Sequence, residues 1–266
     1  MTKRCDAGSF CFDDLQLSLQ PDDTNKNIFF GKFCDETLAI KELALNCKGI
    51  NGEEQHWEKL IKLRYDHLVR YRQYAIRQET RYLVMELCHG SMLDYCRKNL
   101  DENVASLIKG IDIMWQITCG VDYLHRCQID YGHLKLENVL FWKRNSKSKR
   151  VIVKITGYGY KGCPSQDNVK TRLCSLYYAA ATKEEIVPNE PITLESLTEI
   201  DVEHRELALD LIVLPTNAEL INLDVTTLLR HPVFTLWSAE GRSRLVKELQ
   251  IDEEIRIWKN KEKFEE

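Results

Sequence analysis

With 266 residues, 44% of them hydrophobic, the chain can bury the core of one large domain or of two small lobes, which excludes disorder as the default. A formal charge of −4 supplies no global attraction to nucleic acid or to an anionic membrane, so either partner would need a local patch. The ten cysteines contain no Cys-x-x-Cys pair, the first twelve residues carry no signal-peptide core, and no run approaches the roughly 18 apolar residues of a membrane span; a cytoplasmic protein with reduced thiols is expected.

In chain order, residues 1–27 are polar and irregular, with a turn-forming run from Pro21 to Asn27, and read as a flexible N-terminal segment. Residues 27–33 and 37–43 are apolar runs parted by Cys34-Asp35-Glu36, which predicts a hairpin. Over residues 52–65, Trp57, Leu60, Ile61 and Tyr65 fall on one helical face. Residues 68–76 and 81–87 are rich in β-branched and aromatic side chains and predict two more strands. From Met92 the pattern turns helical, and Met114, Ile117, Val121 and Leu124 mark a long buried helix. Short strands over 138–142 and 151–156 flank the basic loop 143–150; its five basic residues are expected to be a solvated hairpin turn rather than an RNA contact. Loop is expected beyond Gly162, then helices over 201–214, 224–230 and 235–249. The domains are therefore 1–27, a β-rich lobe 28–88, a helical lobe 89–249, and a charged helix or tail 250–266.

The strand ending Leu38-Ala39-Ile40-Lys41 is ordinary alone, because surface strands often finish in lysine. It is followed by Glu58 on the next helix, by Met85-Glu86-Leu87-Cys88 after an apolar strand, and by Leu134-Lys135-Leu136-Glu137-Asn138-Val139-Leu140. In that order and spacing these pieces resemble the protein kinases, over about residues 28–181. The resemblance implies an α+β, bilobal, protein-kinase-like fold with a β-rich small N-lobe and a helical, shortened C-lobe. It also implies that Lys41 holds nucleotide phosphate oxygens while Glu58 fixes its direction, although Glu53 and Glu54 leave the register of the acidic partner open. Ala39 and Leu140 are the residue types that sandwich adenine in the family, with Met85 behind them and Glu86 and Cys88 following it; an apolar core without ligand is the alternative for all three apolar positions.

Two acids of the family are missing. Ile129-Asp130-Tyr131-Gly132-His133 has Tyr-Gly-His where His-Arg-Asp is usual, so the catalytic aspartate is His133, which lacks a carboxylate's charge beside an attacking hydroxyl. Gly132 removes the arginine that pairs with a phosphorylated activation segment. In Ile155-Thr156-Gly157-Tyr158-Gly159, Gly157 stands for the metal-binding aspartate and offers magnesium no oxygen. Lys135 and Asn138 remain and could meet phosphate or metal, though Asn138 also suits an ordinary turn. The stretch 20–27 holds no glycine where a phosphate-covering loop belongs, while Tyr131 and Tyr158 keep aromatic bulk at the family's packing spine. With no catalytic residue intact, the resemblance implies a pseudokinase that takes ATP weakly and without metal, if at all. The alternative is an ATP-binding atypical serine/threonine kinase of weak activity that uses His133.

The stretch from Gly31 to Lys41, Glu86-Leu87-Cys88, and Leu229-Arg230-His231-Pro232-Val233-Phe234 with Leu236-Trp237-Ser238-Ala239-Glu240 look like the ribonuclease-linked stress kinases. That implies a regulatory or scaffolding module in stress or RNA-decay signalling, with protein partners, a kinase-like homodimer or heterodimer among them, rather than nucleic acid. Residues 241–266 are too few for the family's nuclease domain, so no nuclease activity is expected; a truncated or spliced product is the remaining alternative. Ala181 stands where the family has the glutamate of Ala-Pro-Glu, which leaves the interval to the helix near Glu206 short and the large lobe remodelled.

Overall fold

The computed structural model describes residues 16–18, 28–33, 36–43, 53–77, 80–129, 131, 133–159, 169–185, 187, 191–213 and 225–236. The chain divides after Cys88 into two units, Met1–Cys88 and His89–Glu266. No helix among the described residues is long and apolar enough to cross a membrane.

The first unit contains β1 (Gln16–Ser18), β2 (Ile28–Phe33), β3 (Glu36–Leu43), α1 (Glu53–Lys62), β4 (Tyr71–Arg77) and β5 (Thr80–Glu86). Its antiparallel sheet runs β1-β2-β3-β5-β4. The expected hairpin is β2–β3, with Phe30 opposite Ala39 and Ile28 opposite Lys41. Because side chains alternate along a strand, Leu38 and Ile40 bury completely with Val84, and Ala39 and Lys41 take the other face. On α1, Trp57 and Leu60 are buried; Trp57 stacks on Tyr74 at 5.5 Å between ring centroids and meets Tyr71 at 6.1 Å, which holds the helix to β4. The helix stops at Lys62 and does not reach Tyr65, since the Arg64 guanidinium donates to the Ile61 and Leu63 carbonyls at its C-terminal end.

One expectation for the N-terminal segment 1–27 needs correcting: Gln16–Ser18 is the edge strand β1, paired with β2 through Leu17 opposite Gly31. The alternation Leu15-Gln16-Leu17-Ser18-Leu19 is a strand signal masked by the acidic and proline-containing residues around it. The glycine-free stretch 20–27 lies outside the described residues.

The second unit contains β6 (Gly90–Ser91), α2 (Met92–Cys96), α3 (Glu102–Ala105), α4 (Gly110–Arg126), β7 (Val139–Lys143), β8 (Val151–Ile155), α5 (Val169–Thr182), α6 (Arg205–Val213), α7 (Val225–Leu228) and α8 (Pro232–Leu236). A small antiparallel sheet runs β6-β7-β8. Helix α4 is buried on all sides, so its polar groups need internal partners. Each finds one on a different neighbour. Gln116 Oε1 accepts the Val153 N–H of β8 at 2.8 Å, the Thr118 hydroxyl meets Tyr177 of α5, and Asp122 accepts from Thr226 of α7 and pairs with Arg126, both at 2.8 Å. The basic turn of β7–β8 is built by Asn145 and Ser148 bonding to nearby backbone, with Arg144, Lys147, Lys149 and Arg150 exposed. Lys143 is instead buried and donates to the Asn103 carbonyl at 3.1 Å, so the charged surface of this loop begins one residue later than expected.

The loop expected beyond Gly162 is overturned by α5, in which Leu173, Tyr177, Ala179, Ala180 and Ala181 are fully buried. Ala181 lies in this buried helix, beside α4. Residues 156–168 separate β8 from this helix, and α6 begins at Arg205, as the short interval after Ala181 implies. Two of the expected C-terminal helices appear as α6 and α7, with a 3-10 turn at Val202–His204; α8 lies ahead of the helix expected over 235–249, of which residues 237–249, like the tail 250–266, lie outside the described residues.

The approach of α4 to α5 is close enough to test. A Cβ added at Gly110 would lie 2.6 Å from the Ala180 carbonyl oxygen and 2.7 Å from Ile200 Cδ1. Alanine gains at most about 1 kcal/mol in helix propensity, whereas overpacking against backbone costs about 1–3 kcal/mol. Gly110→Ala is accordingly expected to lower the stability of the chain in urea denaturation, and an unchanged or raised midpoint would contradict this packing.

Candidate functional site

In the first unit Ala39, Lys41 and Met85, three of the predicted nucleotide-facing residues, share one face of the sheet. Ala39 lies directly opposite Met85 and Lys41 opposite Leu83, because paired residues of an antiparallel ladder project to the same side. Met85 is buried and Ala39 and Lys41 are half-buried. Glu86 closes β5 with its carboxylate turned to the protein: Oε1 accepts the Arg70 N–H at 2.7 Å, and the Glu86 N–H donates to the Arg70 carbonyl at 3.0 Å. Cys88 follows, half-buried. Glu58 is on the exposed side of α1, since Trp57 and Leu60 take the face packed on the sheet. Glu53 and Glu54 begin the same helix.

In the second unit the motif residues 133–138 and 156–157 come together. Asp130 and Gly132 lie outside the described residues. Tyr131 is half-buried, its hydroxyl 3.4 Å from His125 Nδ1, and Tyr158 is buried. A 3-10 turn at Leu136–Asn138 ends the loop and feeds β7, on which Leu140 stands half-buried opposite Ser91 and Lys154. Asn138 is buried: its amide Nδ2 donates to the His133 carbonyl at 2.6 Å, and its own carbonyl accepts the Thr156 N–H at 2.9 Å. Gly157 follows with a φ of +77°, a backbone region that glycine enters without penalty. Lys135 is exposed and 3.7 Å from Glu137, a surface pair worth little. Next to this loop a cleft of about 430 Å³ separates it from α5, floored by Leu134, Leu136 and Leu176, with Arg172 donating to the Leu134 carbonyl at 3.4 Å.

Two contributors were not apparent from sequence. Arg172 belongs to α5, the helix whose pattern carries no clear period. His89 anchors β7 from its far end: its N–H donates to the Phe141 carbonyl at 2.8 Å, and its Nδ1 accepts the Lys143 N–H at 3.2 Å. Burial first, and then the Lys143 charge, push the His89 imidazole below its ordinary value of 6.5. The neutral ring is also the form that can accept at Nδ1. A histidine with a depressed folded pKa takes its proton more readily in the unfolded chain, so the stability it supports is full above about 6.5 and is lost as pH falls below that toward the depressed folded value. His89→Asn keeps an acceptor that does not titrate. Urea denaturation at pH 7.5 and 5.5 should show a smaller acid loss for that variant than for the unaltered chain, and equal losses would refute the anchoring role.

The motif order, the sheet and the helical unit can be set beside known proteins. A protein kinase domain model matches residues 31–196, more than half of the chain. The chain is 28% identical over 113 residues to the serine/threonine-protein kinase/endoribonuclease ire-1 of Caenorhabditis elegans, covering 42% of this chain and 12% of that protein. It is 29% identical over 134 residues to the serine/threonine-protein kinase ppk16 of Schizosaccharomyces pombe, 48% of this chain and 18% of the relative. A third relative, the serine/threonine-protein kinase/endoribonuclease IRE1 of Hypocrea jecorina, is 27% identical over 132 residues, 48% of this chain and 10% of its own length. The chain thus spans less than a fifth of each of these relatives. Among solved structures, the Rad53 kinase domain with SCD2 superposes with a TM-score of 0.58 at 20% identity, over 85% of this chain and 90% of that one. Rad53 1-466 in complex with AMP-PNP gives 0.60 at 19% identity, over 84% and 66%. At such identities the likeness speaks for the fold. Together with the family match, it establishes that this chain belongs to the protein kinase domain family, an α+β protein with a β-sheet N-lobe and a helical C-lobe.

Proposed function

We propose that this chain is a kinase-like module that does not transfer phosphate and acts by binding and regulating a protein partner. The observation that carries the reading is the junction of His133, Asn138 and Gly157. Phosphoryl transfer needs an acid to orient the attacking hydroxyl and oxygen ligands to hold magnesium against the phosphates. At the motif position of the first stands an imidazole, and at the second a glycine at positive φ. Magnesium does not fit the residues present, because Gly157 offers no side-chain oxygen and leaves the Asn138 carboxamide oxygen as the sole side-chain ligand at the motif positions, too few for a cation that demands near-octahedral oxygen coordination. Any nucleotide is therefore held without metal, in the first unit through Lys41 and the apolar Ala39 and Met85.

Retention of the packed core supports a binding role. Tyr158, Tyr177 and the polar partners of α4 are buried and satisfied although none of them does chemistry. A protein that had lost its reaction and had no other use would be under no pressure to keep such a core. The partner in this reading is a second kinase-like chain and the setting stress or RNA-decay signalling; the likeness to two relatives named as kinase/endoribonucleases supports the kinase-like part of it.

The test is a phosphotransfer assay on the purified chain with ATP and magnesium or manganese, scoring autophosphorylation and a generic protein substrate. Incorporation is expected to equal that of Lys41→Met. Turnover lost in Lys41→Met and also in His133→Ala would overturn the proposal in favour of a weak atypical kinase that uses the histidine.

A further inference from the structure

The turn between β7 and β8 holds two serines, Ser146 and Ser148, and the structure treats them differently. Asn145 starts the turn: its carbonyl accepts the Ser148 N–H and its Oδ1 accepts the Lys147 N–H, each at 3.1 Å. The Ser148 hydroxyl is committed, donating to the Arg150 carbonyl at 3.0 Å and accepting the Arg150 N–H at 3.2 Å. Ser146 stands at the corner of the turn, exposed, and among the described residues its hydroxyl has no hydrogen-bond partner.

The flanks are cationic. Residues 144–150 carry Arg144, Lys147, Lys149 and Arg150 and no acid, in a chain of net charge −4, and all four side chains are exposed. Among the described residues none of the four is held in an ion pair, so their charge faces solvent. Lys143, which sequence alone adds to this set, is withdrawn: it is buried, with its Nζ donating to the Asn103 carbonyl at 3.1 Å. Beneath the turn the stem is anchored, because Gln116 holds β8 at Val153 and His89 holds β7 at Phe141 and Lys143. A surface turn closed by a few exposed hydrogen bonds opens far more readily than the core below it, so an enzyme can draw out the acceptor without unfolding the unit.

We propose that Ser146 is a phosphorylation site for an arginine-directed serine/threonine kinase, whose carboxylates pair with the Arg144 guanidinium two residues ahead of the acceptor, and that Ser148 is not. In the reaction the Ser146 Oγ forms a bond to the γ-phosphorus of ATP. The bond from that phosphorus to the bridging oxygen breaks with its electron pair on the leaving ADP, and the hydroxyl proton passes to a base of the modifying kinase. The phosphate brings about −1.5 to −2 charge at pH 7, which reduces the turn from four positive charges to roughly two net. The site lies on the surface of the hairpin and does not depend on whether this chain itself transfers phosphate.

The full chain is incubated with ATP, magnesium and the catalytic subunit of cyclic-AMP-dependent protein kinase, an arginine-directed enzyme, and phosphate is located by mass spectrometry of the digested product. Ser146 is expected to carry about tenfold more phosphate than Ser148, since the Ser148 hydroxyl must first give up two hydrogen bonds. Incorporation at Ser146 should fall about tenfold or more in Arg144→Ala, which removes a charge-assisted contact, and should not fall in Ser148→Ala. Substitutions in so exposed a turn leave the fold intact, so each arm reports on recognition. Phosphate on Ser148 equal to or above that on Ser146, none on Ser146, or incorporation at Ser146 indifferent to Arg144 overturns the proposal.

Discussion

The bond from the Thr156 N–H to the Asn138 carbonyl is the constraint on which the second unit's site depends. It ties the end of the loop that carries His133 to the turn that carries Gly157, immediately outside the β7–β8 hairpin. From that point the order spreads inward. Gln116 of α4 holds β8 at Val153, and His89 holds β7 at Phe141 and Lys143. Loop, hairpin and buried helix thus form one hydrogen-bonded assembly, in which a local change in the loop is opposed by bonds anchored in the core.

That assembly does not depend on the residues at the motif positions. In the second unit, the groups that hold α4 to β8, α5 and α7 are Gln116, Thr118, Asp122 and their partners, and none of them stands at a motif position. The residues at 133 and 157 therefore take no part in the core's hydrogen bonds. Glycine at 157 even relieves the turn, since it supplies a positive φ at no steric cost and leaves room for the Asn138 amide.

Much of the fold was legible where a period exists to be read. The β2–β3 hairpin, β4, β5 and α4 followed from alternation or from a helical stripe, and the motif residues sat on the expected elements. Helix α5 escaped because it is buried on most sides: Leu173, Cys174, Leu176, Tyr177, Tyr178 and three alanines leave no polar face to set the phase. Strand β1 escaped because three residues suffice when a neighbouring strand supplies the pairing, and so short a signal drowns in polar flanks. The exposed setting of Glu58 and the inward turn of the Glu86 carboxylate depend on which face Trp57 and Arg70 take, a tertiary outcome. The direction of the Asn138 amide is of the same kind: residue identity named the position, and only packing around Gly157 shows what the side chain does there.

The central claim is that the loop–turn junction does not gather a divalent cation beside nucleotide. Manganese titrated into the isotope-labelled chain with ATP tests it directly, because the ion broadens nuclear resonances only in its immediate neighbourhood. The amide signals of Asn138 and Gly157 are expected to keep their intensity up to saturating ATP and manganese. Selective loss of both signals, dependent on ATP, would place a metal at the junction and contradict the reading of this chain as a kinase-like module without phosphoryl transfer.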